Sequence, residues 1–370
     1  MNDTHYPQSQ MVVPGSCTMY NLPIELATEI MGYVGRDLAS LASVRLVSRV
    51  FQSAAAPSFF HTINLRDYTR GAHALSLFQA LVTHSYAGHV HHLRASWDPS
   101  DASASQSEII CAVVDALRLM KNLETLRLAT SCTNNNRVET FLAQATPYWP
   151  KLVDFRIQGI VTASFLQRHQ NLRVLFVEGL IADSYEALHL PRLEALGFNE
   201  DGDIFFQSGL LHDNLVRMAC HEDHTLALHS AARVARNLTK MSIRSADILA
   251  FAHGLSPTPM PFARVHTLHV VDMDNPHAPD LVIADMRIVG VLRTLFPRLV
   301  ALNVMTHGFA LQSLRVAAAV IALAEGPPRV LPFLKELRIG GVYTFVWDNT
   351  FRGFVSSTFV RNIKLLELEV

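Results

Sequence analysis

A six-residue motif, L-x-x-L-x-L with conservative replacements, recurs along most of the chain and limits the fold more than any other feature. Its last two apolar residues stand two positions apart, which is the spacing of a strand that buries one face. Such strands need a common core to cover that face. The copies are Leu123-Leu126-Leu128, Leu152-Phe155-Ile157, Leu172-Leu175-Val177, Leu193-Leu196-Phe198, Leu215-Met218-Cys220, Leu238-Met241-Ile243, Val265-Leu268-Val270, Leu299-Leu302-Val304, Leu334-Leu337-Ile339 and Ile363-Leu366-Leu368.

Segments with the apolar spacing of amphipathic helices lie between the motifs, for example at residues 108–120 and 311–324. A strand followed by a helix, repeated along the chain, stacks into a curved parallel sheet with helices outside it. Two earlier copies, one starting at Phe60 and a partial one at Leu93 and Ala95, extend the pattern toward the N-terminus. The sequence therefore predicts an α/β solenoid over residues 61–370.

This array resembles the leucine-rich-repeat region of F-box/leucine-rich-repeat receptors. Successive complete copies begin 20 to 35 residues apart, and most of these intervals fall within or near the range of about 20–29 residues found in leucine-rich repeats. The Asn or Cys expected three residues after each motif is mostly missing, so we expect irregular repeats of uneven curvature. The residues at those positions are Ser131, Ile160, Leu180, Asp201, Asp223 and Ala246.

The stretch at residues 21–60 has a different pattern, in which apolar residues recur at helical spacing. Pro23 suits the first turn of a helix, where its missing N–H has no partner to lose. One apolar stripe then consists of Leu22, Leu26, Ile30 and Val34.

Two further short helices are predicted in the same stretch. Asp37 is a suitable N-cap for the second helix, Ser48 or Ser53 starts the third, and Pro57 is expected to end the module. The apolar stripe of the second helix consists of Leu38, Leu41, Val44 and Val47. A module of about forty residues is close to the lower limit for independent folding, so its apolar surface is expected to continue into a neighbour.

The order of these residues resembles an F-box. In that family the module binds the Skp-type adaptor of an SCF (cullin-RING) ubiquitin ligase, and the rest of the chain captures the protein to be ubiquitinated. The resemblance implies an adaptor-binding set of Leu22, Pro23, Glu25, Leu26, Ile30, Leu38, Leu41, Val44, Arg45 and Val47. The alternative interpretation is an ordinary amphipathic helical cap on a larger domain.

Composition favours a protein partner. Hydrophobic residues make up 49% of the 370-residue chain, charged residues 17%, and the net charge is -1. This balance argues against disorder and against electrostatic binding to nucleic acid or membranes. The first residues lack the basic start and apolar run of a secretory signal, so we expect a flexible tail at residues 1–18 and a cytoplasmic or nuclear protein.

The sequence contains no pattern that indicates catalysis. We find no P-loop, dinucleotide-binding fingerprint or nucleophile elbow, and we therefore expect neither an enzyme nor a cofactor. The four cysteines have no spacing typical of zinc or disulfides. Cys220, His221 and His224 could bind a metal only on one helix face, whereas the motif places Cys220 inward on a strand. The histidines at residues 84–92 are interpreted in the same way, as solvated or hydrogen-bonded side chains.

The residue between the last two apolar positions of each motif should point away from the core and line the concave face. We therefore predict substrate-binding residues among Arg127, Arg156, Phe176, His269, Asn303 and Arg338. Arg127 and Arg156 should project from neighbouring strands and either pair with Asp154 or grip an acidic or phosphorylated segment. The proline-containing loops at residues 253–261 and 272–280 are an alternative binding surface.

These observations together predict a non-catalytic substrate receptor with an F-box at residues 19–60 and an irregular leucine-rich-repeat array at residues 61–370. Its expected partners are a Skp-type adaptor, a cullin reached through that adaptor, and a captured protein. The alternative is an interaction scaffold that is not coupled to ubiquitination.

Overall fold

A computed structural model describes residues 22–34, 37–65, 69–96, 105–128, 148–157, 160–177, 179–181, 188, 190–198, 213–220, 225–271, 286–305, 331–339, 343–348 and 353–356. The α-helices are α1 (Ile24–Val34), α2 (Leu38–Arg45), α3 (Arg49–Phe59), α4 (Gly71–Thr83), α5 (Gln106–Leu119), α6 (Ala163–Gln167), α7 (Thr225–Val234), α8 (Ser245–Ala252) and α9 (Met286–Leu295). The strands are β1 (Thr62–Asn64), β2 (His92–Ala95), β3 (Thr125–Leu128), β4 (Asp154–Ile157), β5 (Ile160–Thr162), β6 (Val174–Val177), β7 (Gly179–Ile181), β8 (Ala195–Phe198), β9 (Arg217–Cys220), β10 (Lys240–Arg244), β11 (Thr267–Val271), β12 (Ala301–Met305), β13 (Glu336–Ile339), β14 (Tyr343–Asp348) and β15 (Gly353–Ser356).

One sheet of 13 strands runs through the described residues, in the order β1-β2-β3-β4-β6-β8-β9-β10-β11-β12-β13-β14-β15. The pairs from β1 to β13 are all parallel, and each strand lies next to its successor along the chain within this sheet. Strands and helices alternate in much of the chain, as in α4-β2-α5-β3 and α7-β10-α8-β11. The predicted α/β class and its largely parallel sheet are confirmed.

The recurring motifs form the strands and the core. In the nine copies from Leu123 to Ile339, the last two apolar residues lie in a strand of the large sheet. Leu126, Phe155 and Leu175, which occupy one register position on neighbouring strands, are at most 1% exposed. The predicted helix at residues 108–120 is present as α5, and Ile109, Val113 and Leu117 of its inner face are buried.

The last described strands differ from the predicted array. β14 pairs antiparallel with β13, and β15 pairs antiparallel with β14. Only residues 340–342 separate β13 from β14, and so short a connection allows a hairpin but not the crossover that parallel strands need. The prediction of uniformly parallel repeats to residue 370 was wrong for this part of the chain. A small two-stranded sheet of β5 and β7 was also not predicted.

The predicted helices of the N-terminal stretch are present as α1, α2 and α3. Asp37 caps α2 by accepting a hydrogen bond from the Ser40 N–H at 2.9 Å, and Ser48 caps α3 by accepting from the Phe51 N–H. The prediction that Pro57 ends the module was wrong, because α3 continues to Phe59. Pro57 lies inside the last turn of α3, which lacks the one main-chain hydrogen bond that the missing N–H of proline would donate.

Helix α3 connects two apolar cores, one between the N-terminal helices and one under the sheet. Ala27, Met31, Leu41 and Phe51 form a small cluster between α1, α2 and α3. The end of α3 belongs to the large core instead, through Ala56 and the adjoining Phe60. The expectation that the apolar surface of this module continues into a neighbour fits this packing.

Asparagine side chains connect successive repeats at the turn before each strand. Four of them, each directly before the first apolar residue of a motif, donate from Nδ2 to a main-chain carbonyl of the preceding repeat. The pairs are Asn122 with Gly88, Asn171 with Pro150, Asn214 with Pro191 and Asn237 with Asp213, at 2.6 to 3.0 Å.

Basic residues continue this ladder where the same position is not asparagine. Each donates to Oδ1 of the asparagine in the preceding repeat: Lys151 to Asn122, Arg192 to Asn171 and Arg264 to Asn237. The polar ladder therefore exists, but it precedes the strand, whereas the resemblance to leucine-rich repeats led us to look for it after the strand.

Several predictions concern residues outside the described ranges. They are the helix at residues 311–324, the loop at 272–280, most of the polar segment at 96–107, the tail at 1–18, the candidate ligands His221 and His224, and the final motif beginning at Ile363. Within the described ranges, no helix has the length and apolar character needed to cross a membrane.

Candidate functional site

Helix α1 presents apolar side chains to solvent on the side away from its own core contacts. Leu26, Ile30 and Tyr33 are 48%, 41% and 85% exposed. They are spaced four and three residues apart, so they lie on one face of the helix. Ala27 and Met31, on the other side, are at most 2% exposed and fill the small core. An amphipathic helix that is apolar on both sides is typical of an element with a second contact surface.

The two residues that follow α2 are also apolar and exposed. Leu46 and Val47 follow α2 directly and are 89% and 57% exposed. Ile24, in the first turn of α1, is 43% exposed, and the predicted contacts Pro23 and Glu25 are also exposed. Six of the 13 exposed large apolar residues of the described chain lie between Ile24 and Val47. We name the exposed stripe of Leu26, Ile30 and Tyr33 the helical apolar surface.

Three predicted adaptor contacts are structural residues instead. Leu41 has no exposed surface and lies in the small core, so the prediction that it touches a partner was wrong. Val44 is half-buried against the same core. The Arg45 guanidinium lies over the Phe59 ring at 4.2 Å and near the Phe60 ring at 5.1 Å, where it links α2 to the start of the sheet.

The two ends of the predicted apolar stripe of α1 pack on the small core. Leu22 and Val34, the two ends of the predicted stripe, are half-buried and pack on the small core, which leaves only Leu26 and Ile30 of that stripe exposed. Leu38 is the first residue of α2.

The second candidate surface is the side of the sheet opposite the buried motif residues, which we name the polar face. The polar face consists of two rows in register, and each of eleven parallel strands contributes one residue to each row; β10 and β11 extend beyond these rows, to Arg244 and Val271. The first row is Asn64, Arg94, Arg127, Arg156, Phe176, Gly197, Ala219, Ser242, His269, Asn303 and Arg338. The second row is Thr62, His92, Thr125, Asp154, Val174, Ala195, Arg217, Lys240, Thr267, Ala301 and Glu336. All six predicted substrate-binding residues lie in the first row.

At one end of the polar face, one carboxylate serves two guanidinium groups. Asp154 Oδ2 accepts from Arg127 at 2.6 Å, and Oδ1 accepts from the Arg156 Nε at 2.9 Å. The Asp154 side chain is 13% exposed, whereas the Arg127 and Arg156 side chains are 37% and 43% exposed. Arg94, the register neighbour of Arg127, is also exposed. This end of the polar face therefore holds three guanidinium groups and one carboxylate, which leaves an excess of two positive charges.

Phe176 lies flat beside this cluster. A Cβ atom added at Gly197 would be 2.4 Å from Cδ2 of the Phe176 ring, so the ring covers the glycine on the next strand. Phe176 is half-buried as a result. Farther along the first row, Ala219 and Ser242 are also small, and the middle of the polar face has few side chains that would hold another main chain away.

At the other end, His269, Asn303 and Arg338 line a cavity of about 220 Å³. Asn303 Nδ2 and His269 Nδ1 are 3.1 Å apart, which makes Nδ1 the acceptor and Nε2 the protonated nitrogen. Burial, followed by the charges of Arg338 and Lys240, lowers the pKa of His269 from its usual 6.5. Asn303 Oδ1 is buried without a hydrogen-bond partner in the described residues. Arg338 donates to Glu336 at the rim.

Some residues of these surfaces were missed at the level of the sequence. Arg94 lies between the apolar residues Leu93 and Ala95, which is the same motif position as that of Arg127 and Arg156. It was not predicted because its copy of the motif is incomplete. Arg217 and Lys240 lie two residues before an outward position, so the same alternation would have found them. Tyr33 and Leu46 gave no signal, since an exposed apolar residue looks like a core residue in a sequence.

The described residues do not form a metal-binding cluster of three or more ligands. His61 and His91 stack at 4.5 Å, His91 pairs with Glu124 at 2.9 Å, and His92 contacts Thr125. Cys220 points into the core as predicted, and burial raises the pKa of its thiol well above its usual value. It is therefore a packing residue.

Comparisons with known proteins leave both surfaces to be interpreted on their geometry. No model of a known protein family matches the chain, and no curated protein matches it.

Proposed function

We propose that the chain is a non-catalytic substrate receptor of an SCF-type ubiquitin ligase. In this account residues 19–60 act as an F-box whose helical apolar surface docks a Skp-type adaptor. Residues 61–370 act as a leucine-rich-repeat solenoid that holds the captured protein, and the ligase partners perform the chemistry.

The observation that carries the proposal is the exposure of Leu26, Ile30 and Tyr33 on a helix whose core-facing stripe is already packed. Leu26 and Ile30 are about half exposed, so burying the rest of each side chain against a partner would contribute roughly 1 kcal/mol. A contiguous patch of this kind marks an interaction site in a soluble protein. The order of Leu-Pro, Asp-Leu and Val-x-x-Val-Ser in the same stretch identifies the class of partner through its resemblance to F-boxes.

The helix-to-sheet junction supports a receptor in which the two surfaces are held together. α3 contributes to both apolar cores, and Arg45 of α2 lies over Phe59 and Phe60 at the start of the repeats. A ligase that works by proximity needs such a junction, because a flexible one would reduce the effective concentration of the captured protein near the catalytic partners.

Titration calorimetry with purified components tests the docking step. We expect the full chain to bind a purified Skp-type adaptor in a 1:1 complex with a negative heat-capacity change, which is the signature of apolar burial. The scaffold alternative allows the same binding but excludes recruitment of the cullin to the complex. If the folded chain does not bind the adaptor, the proposal is refuted.

A further inference from the structure

The polar face carries a charge that the chain as a whole does not. The full sequence has 31 basic residues, 32 acidic residues and a net charge of -1. Of the 22 residues on the polar face, six are basic and two are acidic, so the net charge there is +4. The basic residues are Arg94, Arg127, Arg156, Arg217, Lys240 and Arg338, and the acidic ones are Asp154 and Glu336.

The flanking residues at the N-terminal ends of the strands do not cancel this charge. Arg173 forms a bidentate pair with Glu194, and Lys335 lies on the same edge as Glu124. The charges of these four residues sum to zero. On the face itself, Arg94, Arg217 and Lys240 are exposed. Like charges on neighbouring strands about 4.8 Å apart repel one another, so a face with only a structural role would have its acids interspersed.

We propose that the polar face binds an extended acidic segment of a partner protein. The inference deepens the proposed function, because this face is where that account places the captured protein. From Arg94 on β2 to Lys240 on β10 there are six strand intervals, or about 29 Å, which an extended segment of about nine residues spans. The small side chains of Ala219 and Ser242, on neighbouring strands, let its main chain approach the sheet.

The composition of the face favours a peptide over a single-stranded nucleic acid. Nucleic-acid grooves combine basic residues with aromatic rings on which successive bases stack. Phe176 is the one Phe, Tyr or Trp among the 22 residues, and its ring already lies over Gly197. Carboxylates, in contrast, need only guanidinium and ammonium donors, which the face supplies on β2 to β4, β9, β10 and β13.

Fluorescence anisotropy of a labelled decaglutamate peptide tests this proposal on the purified full chain. We expect binding that weakens as salt is raised, and no binding of a neutral Gly-Ser peptide of equal length. Arg94→Gln/Lys240→Gln should weaken decaglutamate binding about fivefold. The matched control, Arg233→Gln/Arg293→Gln, removes the same charge from exposed positions on α7 and α9 and should leave binding unchanged.

A charge change in the opposite direction makes the test sharper. Asp154→Asn should strengthen decaglutamate binding about threefold, since it removes the carboxylate that Arg127 and Arg156 share. If Asp154 had only a structural role, its substitution would weaken decaglutamate binding or leave it unchanged. A Leu26→Asp variant, which should lose adaptor docking, should still bind the peptide like the parent chain. Failure of adaptor docking and failure of this inference can therefore be distinguished.

Three results would overturn the proposal. The first is absence of decaglutamate binding at low salt. The second is an equal loss of decaglutamate affinity in Arg94→Gln/Lys240→Gln and in Arg233→Gln/Arg293→Gln. The third is tighter binding of a decauridylate RNA than of decaglutamate. The last result would assign the face to nucleic acid instead.

Discussion

His169 is a buried histidine whose hydrogen bonds fix its neutral form. It is 2% exposed, its Nε2 accepts from the Trp149 N–H at 3.2 Å, and its Nδ1 donates to the Phe165 carbonyl at 2.8 Å. A proton on Nε2 would face the Trp149 N–H and break the first of these bonds. Burial lowers the pKa of His169 from its usual 6.5.

The lowered pKa of His169 predicts a loss of stability in acid. Above pH 6.5 neither the folded nor the unfolded chain carries this proton, and the stabilisation is fully present. As the pH falls below 6.5, the unfolded chain binds the proton first, so the free energy of unfolding decreases by up to about 1.4 kcal/mol per pH unit. Urea titrations between pH 7.5 and 5.5 should show a shallower dependence for His169→Gln than for the parent chain. His73→Gln, at an exposed position, is the control and should retain the parent slope.

Phe176 and Gly197 should be energetically coupled. A Cβ at residue 197 meets the ring at 2.4 Å, so Gly197→Ala must displace Phe176, at a cost of about 1–3 kcal/mol. The same substitution in a Phe176→Ala background should cost much less. A double-mutant cycle with equal costs in both backgrounds would show that the ring does not cover the glycine.

At the scale of elements, the asparagine ladder explains a sequence pattern that the apolar motif does not. The recurring "KNL", "QNL", "DNL" and "RNL" turns place an amide where it can bind the preceding repeat. Asn171→Ala would leave the Pro150 carbonyl and the Arg192 guanidinium without this partner. We expect a loss of about 1 kcal/mol in the free energy of unfolding. Gln170→Ala, which removes only a bond within the same turn, should cost less.

Helix α1 gives the sharpest contrast between docking and packing. Leu26→Asp should leave the protein folded and weaken adaptor binding at least about 100-fold, because it places a charge in a desolvated contact. Leu41→Asp should unfold the N-terminal helices, since Leu41 has no exposed surface. Thr28→Asp introduces the same charge on the exposed side of α1 away from Leu26, and should preserve both the fold and adaptor binding. Circular dichroism and adaptor titrations distinguish these outcomes, and full adaptor binding by folded Leu26→Asp would refute the docking surface.

Strands and helices whose apolar residues recur with a strong period could be predicted from the sequence. Which of their side chains are buried was harder to predict. The alternation in each motif placed Leu126 and Phe155 inward and Arg127 and Arg156 outward, as the structure has them. Helical spacing could not tell which apolar face of α1 packs, because Leu26 and Ala27 both belong to plausible helical stripes. The antiparallel β14 was not predicted, since its pairing depends on the short connection after β13 and not on a motif of its own.

At the scale of the whole molecule, two chemically different surfaces are supported by two apolar cores that α3 connects. The helical apolar surface lies at the N-terminal end, and the polar face extends over eleven strands of the sheet. Predicting the charge of that face from the sequence required the strand register, because a net charge of -1 over the chain conceals +4 on one side of the sheet. For this reason the composition argues against electrostatic binding to nucleic acid or membranes, whereas the positions of Arg127 and Arg156 predict an acidic segment.

The central claim is that the chain couples an adaptor to a captured protein. The most direct measurement is co-purification of the tagged full chain from cells, with quantification of adaptor and cullin. We predict that both are recovered with the parent chain, with Thr28→Asp and with the polar-face variant Arg94→Gln/Lys240→Gln, and that both are lost with Leu26→Asp. Recovery of the adaptor without a cullin, recovery of neither, or undiminished recovery with folded Leu26→Asp would contradict the account.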